Sequence, residues 1–313
     1  MLRVQLFGNL RIHDDGRRLE CFQSNRAKEL FCYLLLHRDH PHSRDTLAGL
    51  FWADCDKNQS RKYLRQTLWQ LHHSMRAAGG GGPARCFIVE GEFVGWDQKA
   101  DIWVDVFQFE TAVVTAQLTA GDKLNRARAD DLRHAVALYE GDLMEGSYQD
   151  WCLFHRERLQ GNYLFLLEKL MDYSELHRDY DAGIAYGERL LNRDKVRERS
   201  YIRMMRMQYL AGDRAGAIRQ FQRCAAALKE ELGIKPSRRT REVYEKICAD
   251  QLDTTSRPQE DRAVSRLKPD LHELKAQLVK LQHHVQSQIQ RIDEALGSST
   301  PDSSLETSRI TQA

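Results

Sequence analysis

The chain has 313 residues, of which 42% are hydrophobic, 9% aromatic and 29% charged, with a formal net charge of +2. That length predicts two domains with a small further module, and apolar residues in sufficient number to bury a core. No apolar run is long enough for a transmembrane helix, and the opening MLRVQLFGNLRIHDD lacks a signal-length apolar stretch. Seven scattered cysteines with no CxxC argue against a disulfide framework and a zinc site, and a cytoplasmic setting is expected.

Val4-Gln5-Leu6-Phe7 and Leu10-Arg11-Ile12 alternate around Gly8-Asn9, which predicts short antiparallel strands, with Asp14-Asp15-Gly16 as a further turn. Ser24 is placed to cap a helix through Ala27, Leu30, Phe31, Leu34 and Leu35 that ends near His37, before Pro41. Ser43 is placed to cap a second helix with Leu47, Leu50 and Phe51 at helical spacing. Asp54, Asp56 and Asn58 lead into a third helix that stops at the glycine run 79–82. Phe87-Ile88-Val89 and Phe93-Val94-Gly95-Trp96 then flank Glu90-Gly91-Glu92, a hairpin with glycine in its turn.

Strands, three helices and a hairpin are the order of a winged helix-turn-helix, in which the third helix enters the DNA major groove. The charge supports that order. Residues 1–98 carry 14 Lys/Arg against 11 Asp/Glu, and Lys57 to Ala78 holds five bases and no acid. Such a local field suits phosphates, although charge runs are commonly solvated faces. At 100° per residue, Leu64, Leu68, Leu71 and Met75 form the inward stripe. Gln59, Lys62, Gln66, Trp69 and His73 lie opposite, with Arg65 and Arg76 on one flank and Arg61 nearer the core edge. Gln pairs with adenine and Arg or Lys with guanine, so this face has base-reading chemistry. The candidate DNA-binding residues are therefore Lys57, Gln59, Arg61, Lys62, Arg65, Gln66, Trp69 and His73. Packing against the wing or a neighbouring domain is the alternative for Trp69. Ser24, Arg26, Lys28 and Arg44 are candidate phosphate contacts. Glu90 and Glu92 at the wing tip would repel phosphates, so weak DNA contact, or packing on the helical domain, is expected there.

These segments together resemble a known family. SRKYLRQTLWQLHHSM, preceded by RAKELFCYLLLH and followed by FIVEGEFVGW, is similar to the DNA-binding domain of SARP-type transcriptional regulators. The resemblance continues through DIWVDVFQFE, LYEGDLMEG, WCLFHRERL and KEELGIKPSRRTREVYEKI. It implies a response-regulator-type winged helix joined to a bacterial transcriptional activator domain, binding to direct repeats near promoters, and recruitment of RNA polymerase. His72 and His73 depart from the family, which commonly carries arginines there. That would make a phosphate contact at those positions pH-sensitive.

The middle of the chain repeats itself. A shift of 34 pairs Asp179 with Asp213, Gly183 with Ala217, Ile184 with Ile218 and Leu190 with Cys224. That period, with small residues where helices cross, is the mark of tetratricopeptide helix pairs. Helices at Asp105–Leu118 and Leu132–Tyr139, and a long one at Trp151–His177, are expected to complete the stack. Its aromatics Tyr148, Trp151, Phe154, Tyr163 and Phe165 read as core, and its concave face suits a protein or small-ligand partner. Beyond residue 250 a polar linker (251–266) with Pro258 precedes a heptad seam at 267–296: Leu267, Leu271, Leu274, Leu278, Leu281, Val285 and Ile292. It predicts a coiled coil for self-association, with an amphipathic helix folded back on the helical domain as the alternative. A disordered Ser/Thr-rich tail is expected at 297–313.

No catalytic constellation is found: the glycine run lacks the Lys-Ser/Thr of a phosphate loop, and GxSxG and HExxH are absent. The strand signal starts at Val4, so no receiver domain is expected ahead of the winged helix. The expected fold is mainly α with a small β component. It divides into a winged helix-turn-helix (1–98), a helical-repeat domain (99–250), and the linker, coil and tail. The expected function is a non-enzymatic, DNA-binding transcriptional activator with no cofactor, no metal, no membrane partner and no identified effector. A ligand-gated repressor and a helical-repeat adaptor without DNA binding are the rivals.

Overall fold

The structure is a computed structural model that describes residues 1–19, 22, 24–78, 86–119 and 124–252. The glycine run, the linker from residue 253, the seam Leu267 to Ile292 and the tail lie outside the described residues, as does the side chain of Arg76. Met1–Leu252 forms one unit. It is mainly helical, with ten helices and two small sheets among the described residues.

The first sheet is built on β1 (Leu2–Gln5), which pairs antiparallel with β2 (Arg11–Asp14). Asp15 and Gly16, with φ of 45° and 84°, make the two-residue turn from β2 into β3 (Arg17–Arg18). Positive φ at both central positions matches the strand twist and explains the Asp-Gly pair. The expected pairing around Gly8-Asn9 begins only at Gln5 opposite Arg11. Phe7 turns away and bridges Leu143. A strand not expected from the sequence, β7 (Ile102–Val104), joins the other edge of β1 in parallel. Residues on both sides of 98/99 therefore share one sheet. They share one core as well, in which Val4, Phe7, Phe109, Tyr139 and Leu166 are buried together.

α1 (Asn25–Leu36) buries Ala27, Leu30, Phe31, Leu34 and Leu35, and Ser24 accepts the Ala27 N–H at its N-terminus. Ser43 does the same for α2 (Arg44–Phe51), accepting from Thr46 N–H at 3.0 Å. Each cap satisfies a backbone donor that the first helical turn leaves unpaired. α2 buries Leu47, Ala48 and Phe51, while Leu50, expected inward by spacing, is exposed. α3 spans Lys57–Ala78, as its periodicity predicts, and Asp56 accepts the N–H groups of Asn58 and Gln59 at its start. β5 (Phe87–Glu90) and β6 (Phe93–Trp96) form the hairpin, and β4 (His42–Ser43) adds a third strand along β6, directly before α2. The hairpin is thereby fastened to the helix pair α2–α3.

α4 (Asp105–Leu118), α5 (Arg126–Leu138), α6 (Asp150–Leu176), α7 (Tyr180–Leu191), α8 (Glu198–Leu210), α9 (Arg214–Leu232) and α10 (Arg238–Cys248) follow. α5 begins earlier than the apolar spacing implied because Asn125 caps it, accepting from Arg128 N–H. The internal repeat has a structural meaning at three of its four paired positions, and Ile184 and Ile218 are both half-buried. Asp179 and Asp213 cap α7 and α9, and Leu190 and Cys224 are fully buried. Gly183 and Ala217 are buried too, and a Cβ on Gly183 would sit 2.4 Å from Sδ of Met207 in α8. Tyr163 is core as expected; Tyr148 and Phe154 are instead exposed.

One buried charge joins the two halves. Asp105 opens α4 and is 1% exposed. Its carboxylate accepts the backbone N–H groups of Leu6 and Phe7, just past β1, and of Val106. Burial pushes this carboxyl above its ordinary range, against three N–H donors that favour the charged form.

Candidate nucleic-acid interface

The side of α3 that packs inward carries Ser60, Leu64, Thr67, Leu71 and Met75, all buried, with Leu68 half-buried at the margin. The side turned to solvent carries Lys57, Asn58, Arg61, Lys62, Arg65, Gln66, Trp69, His72 and His73. The structure thus brings seven of the eight predicted residues to one exposed helix surface; Gln59 is half-buried.

The cations on that surface are not equivalent. Asp45, in the first turn of α2, accepts Arg61 Nε at 2.5 Å and Lys57 Nζ at 3.1 Å. Glu92 of the wing tip adds an oxygen 4.0 Å from Arg61 Nη2. Two acids therefore offset two bases. The Arg61 hydrogen bond, then that of Lys57, lowers the Asp45 carboxyl to about 2, so the compensation persists at any physiological pH. Lys62 and Arg65 have no ion pair among the described residues and project unopposed. The sequence singled out Arg61 by its charge. Its pairing with an acid on another helix, sixteen positions away, was not visible there.

Trp69 is 65% exposed and stacks on His73, with ring centroids 5.2 Å apart and planes 5° from parallel. That ring contact is within α3 itself, four residues along the same helix. On the wing, Ile88, Val89 and Phe93 are exposed, and Arg44 donates its backbone N–H to the Glu92 carbonyl at 2.8 Å. The tip is thus anchored at the start of α2, not on the helical domain. The residues expected to touch phosphates are spread more widely. Ser24 is occupied as a cap, Arg26 pairs with Glu29 at 3.1 Å, Lys28 and Arg44 are half-buried, and Arg44 Nε is buried without a partner.

Asp45 restrains the field of α3, which leads to an expected result. Asp45→Asn should tighten non-specific duplex binding at low salt and steepen the salt slope by about 0.9 for each of the two cations it frees. A slope equal to that of the unmodified chain would show that Lys57 and Arg61 lie away from the phosphates.

Residues 104–248 match the family described as "Bacterial transcriptional activator domain". No curated protein matches the chain. Among solved structures, Mycobacterium tuberculosis EmbR, described in complex with a low affinity phosphopeptide, is similar with a TM-score of 0.64 at 17% identity; the match covers 88% of this chain and 71% of that one. Residues 104–248 are therefore similar to that activator domain, and the fold of the described chain is shared with EmbR. No helix among the described residues is long and apolar enough to cross a membrane.

Proposed function

We propose that this chain is a cytoplasmic transcriptional activator that places α3 in the major groove of duplex DNA. Lys62 and Gln66 would face base edges and Arg65 a phosphate. The observation that carries the reading is the exposed, acid-free surface of α3, on which Lys62 and Arg65 remain uncompensated while every inward position is apolar or small and polar. A solvated helix has no need of an exposed, stacked Trp69 beside them. Near-neutral ion pairing around Lys57 and Arg61 limits the indiscriminate part of the attraction, which favours specific over non-specific sites.

A single helix in the groove reads few base pairs, so direct repeats near promoters, bound by two or more copies, fit this protein. The seam Leu267, Leu271, Leu274, Leu278, Leu281, Val285 and Ile292 would tether those copies and raise the effective concentration at the second half-site. The helical domain α4–α10 would engage RNA polymerase, as the family resemblance implies.

The test is duplex binding across a salt series. The affinity is expected to fall steeply as salt rises, by about 0.9 per neutralised phosphate on logarithmic axes. A flat response would refute groove binding and favour a protein-binding role for the same surface.

A further inference from the structure

The end of α1 meets the side of α6 through two imidazoles. His37, which closes α1, directs Nε2 at Nε2 of His155, 3.3 Å away. The partners of the other two ring nitrogens fix where the protons lie. His37 Nδ1 is 2.9 Å from the Tyr33 carbonyl oxygen, which only accepts, so Nδ1 carries the proton and Nε2 of the neutral ring is a lone pair. His155 Nδ1 is 3.4 Å from Arg158 Nη2, which only donates, so here Nδ1 is the lone pair and Nε2 carries the proton. The assignments agree. Arg158 donates to His155, His155 donates to His37, and His37 donates to the Tyr33 carbonyl. Every position is matched while both rings are neutral. A proton added to His37 sets N–H against N–H, and one added to His155 sets N–H against the guanidinium.

We propose that this hydrogen-bonded chain is a proton-operated clasp between α1 of the three-helix region and α6 of the helical domain, closed when both rings are neutral and opened by one proton.

For His37 the Tyr33 carbonyl and Asp39 favour the added proton, but burial outweighs them, and no acid pairs with His155 among the described residues. Of the nearby acids, Glu110 on α4 is paired with Arg158 at 2.5 Å, and Asp39 faces His40 at 3.0 Å. The rings of His40, before β4, and of His42, in β4, stand 6.5 and 5.9 Å from the His37 ring, and His42 Nε2 is 3.2 Å from the His37 carbonyl oxygen. Tyr33 lies over the His37 ring, with centroids 4.3 Å apart, and meets Trp151 of α6 edge-on, so opening would also loosen aromatic packing. Burial first, then the proximity of His37 and Arg158, lowers His155 to about 4, and burial lowers His37 and His42 as well. A ring released to water returns toward its ordinary 6.5 and takes up a proton that the closed form refuses. Closure is therefore complete above that value and is lost progressively as pH falls toward 4.

Amide exchange on the full chain, with intrinsic rates divided out, tests this. Between pH 7.5 and 5.0, protection around residues 33–38 and 151–158 should fall together by about thirtyfold, the ratio that a shift from 6.5 to about 4 implies. His155→Gln, whose neutral amide donates to His37 and accepts from Arg158, should lessen that fall and leave only the part due to His37. Protection equal at both pH values in the unmodified chain, or an equal fall in the His155→Gln chain, overturns the proposal. Ring titration by NMR on the unmodified chain gives a second reading that needs no variant. The His155 midpoint should lie more than about one unit below the ordinary imidazole value of 6.5. A midpoint at that ordinary value would also overturn it.

Discussion

Lys62→Ala and Gln66→Ala are each expected to cost roughly 1–3 kcal/mol of discrimination at a cognate site, and each should relax the preference at one base-pair position. Both side chains are exposed on α3, so the melting temperature of the chain should hardly move. Arg65→Ala should behave differently, weakening all duplexes alike and lowering the salt slope by about one unit. Arg61→Ala should lower the slope less, because Asp45 already occupies that guanidinium. Competition assays with singly substituted duplexes distinguish these outcomes. Loss of affinity in the Lys62 and Gln66 variants that is uniform over all sequences would assign both residues to the backbone and leave base reading to others.

Asp105→Ala should destabilise the chain far more than any of the α3 substitutions. The change removes the acceptor for three buried backbone N–H groups, those of Leu6, Phe7 and Val106. Unsatisfied buried donors cost about 1–3 kcal/mol each, and partial relaxation or water entry makes the sum smaller than three full penalties. A loss of about 3–5 kcal/mol is expected from urea denaturation, with Asp105→Asn intermediate because its carbonyl still accepts. The effect should reach both halves of Met1–Leu252, since Asp105 holds the end of β1 to the start of α4. An Asp105→Ala chain that loses less than about 1 kcal/mol would show that these N–H groups find other partners.

Features encoded by neighbouring residues were legible from the sequence. Ser24, Ser43 and the period of α3 act within a turn or two, so the three helices and the face of Lys62 and Gln66 could be read directly. The shift of 34 was legible because Asp179 and Asp213 perform the same local task in α7 and α9. What escaped depends on distant pairing. β7 reads as the entry to the helical region until β1, about a hundred residues earlier, supplies its partner. Asp105 looks like an ordinary first-turn acid, and its real partners are 98 and 99 residues away. His37 and His155 are separated by 118 residues, and no spacing rule joins them. The exposure of Leu50 and Phe154 was missed for the opposite reason: apolar spacing marks a face but not whether another element covers it.

Hydroxyl-radical footprinting of the full chain on the DNA upstream of its own coding sequence tests the assignment of α3 most directly. The predicted result is a repeated protection with its centres whole helical turns apart, about 10–10.5 base pairs or a multiple, and its loss when Lys62 and Arg65 are both replaced by Ala. A footprint that survives this double substitution unchanged, or an unmodified chain that protects no sequence over its non-specific background, would contradict it.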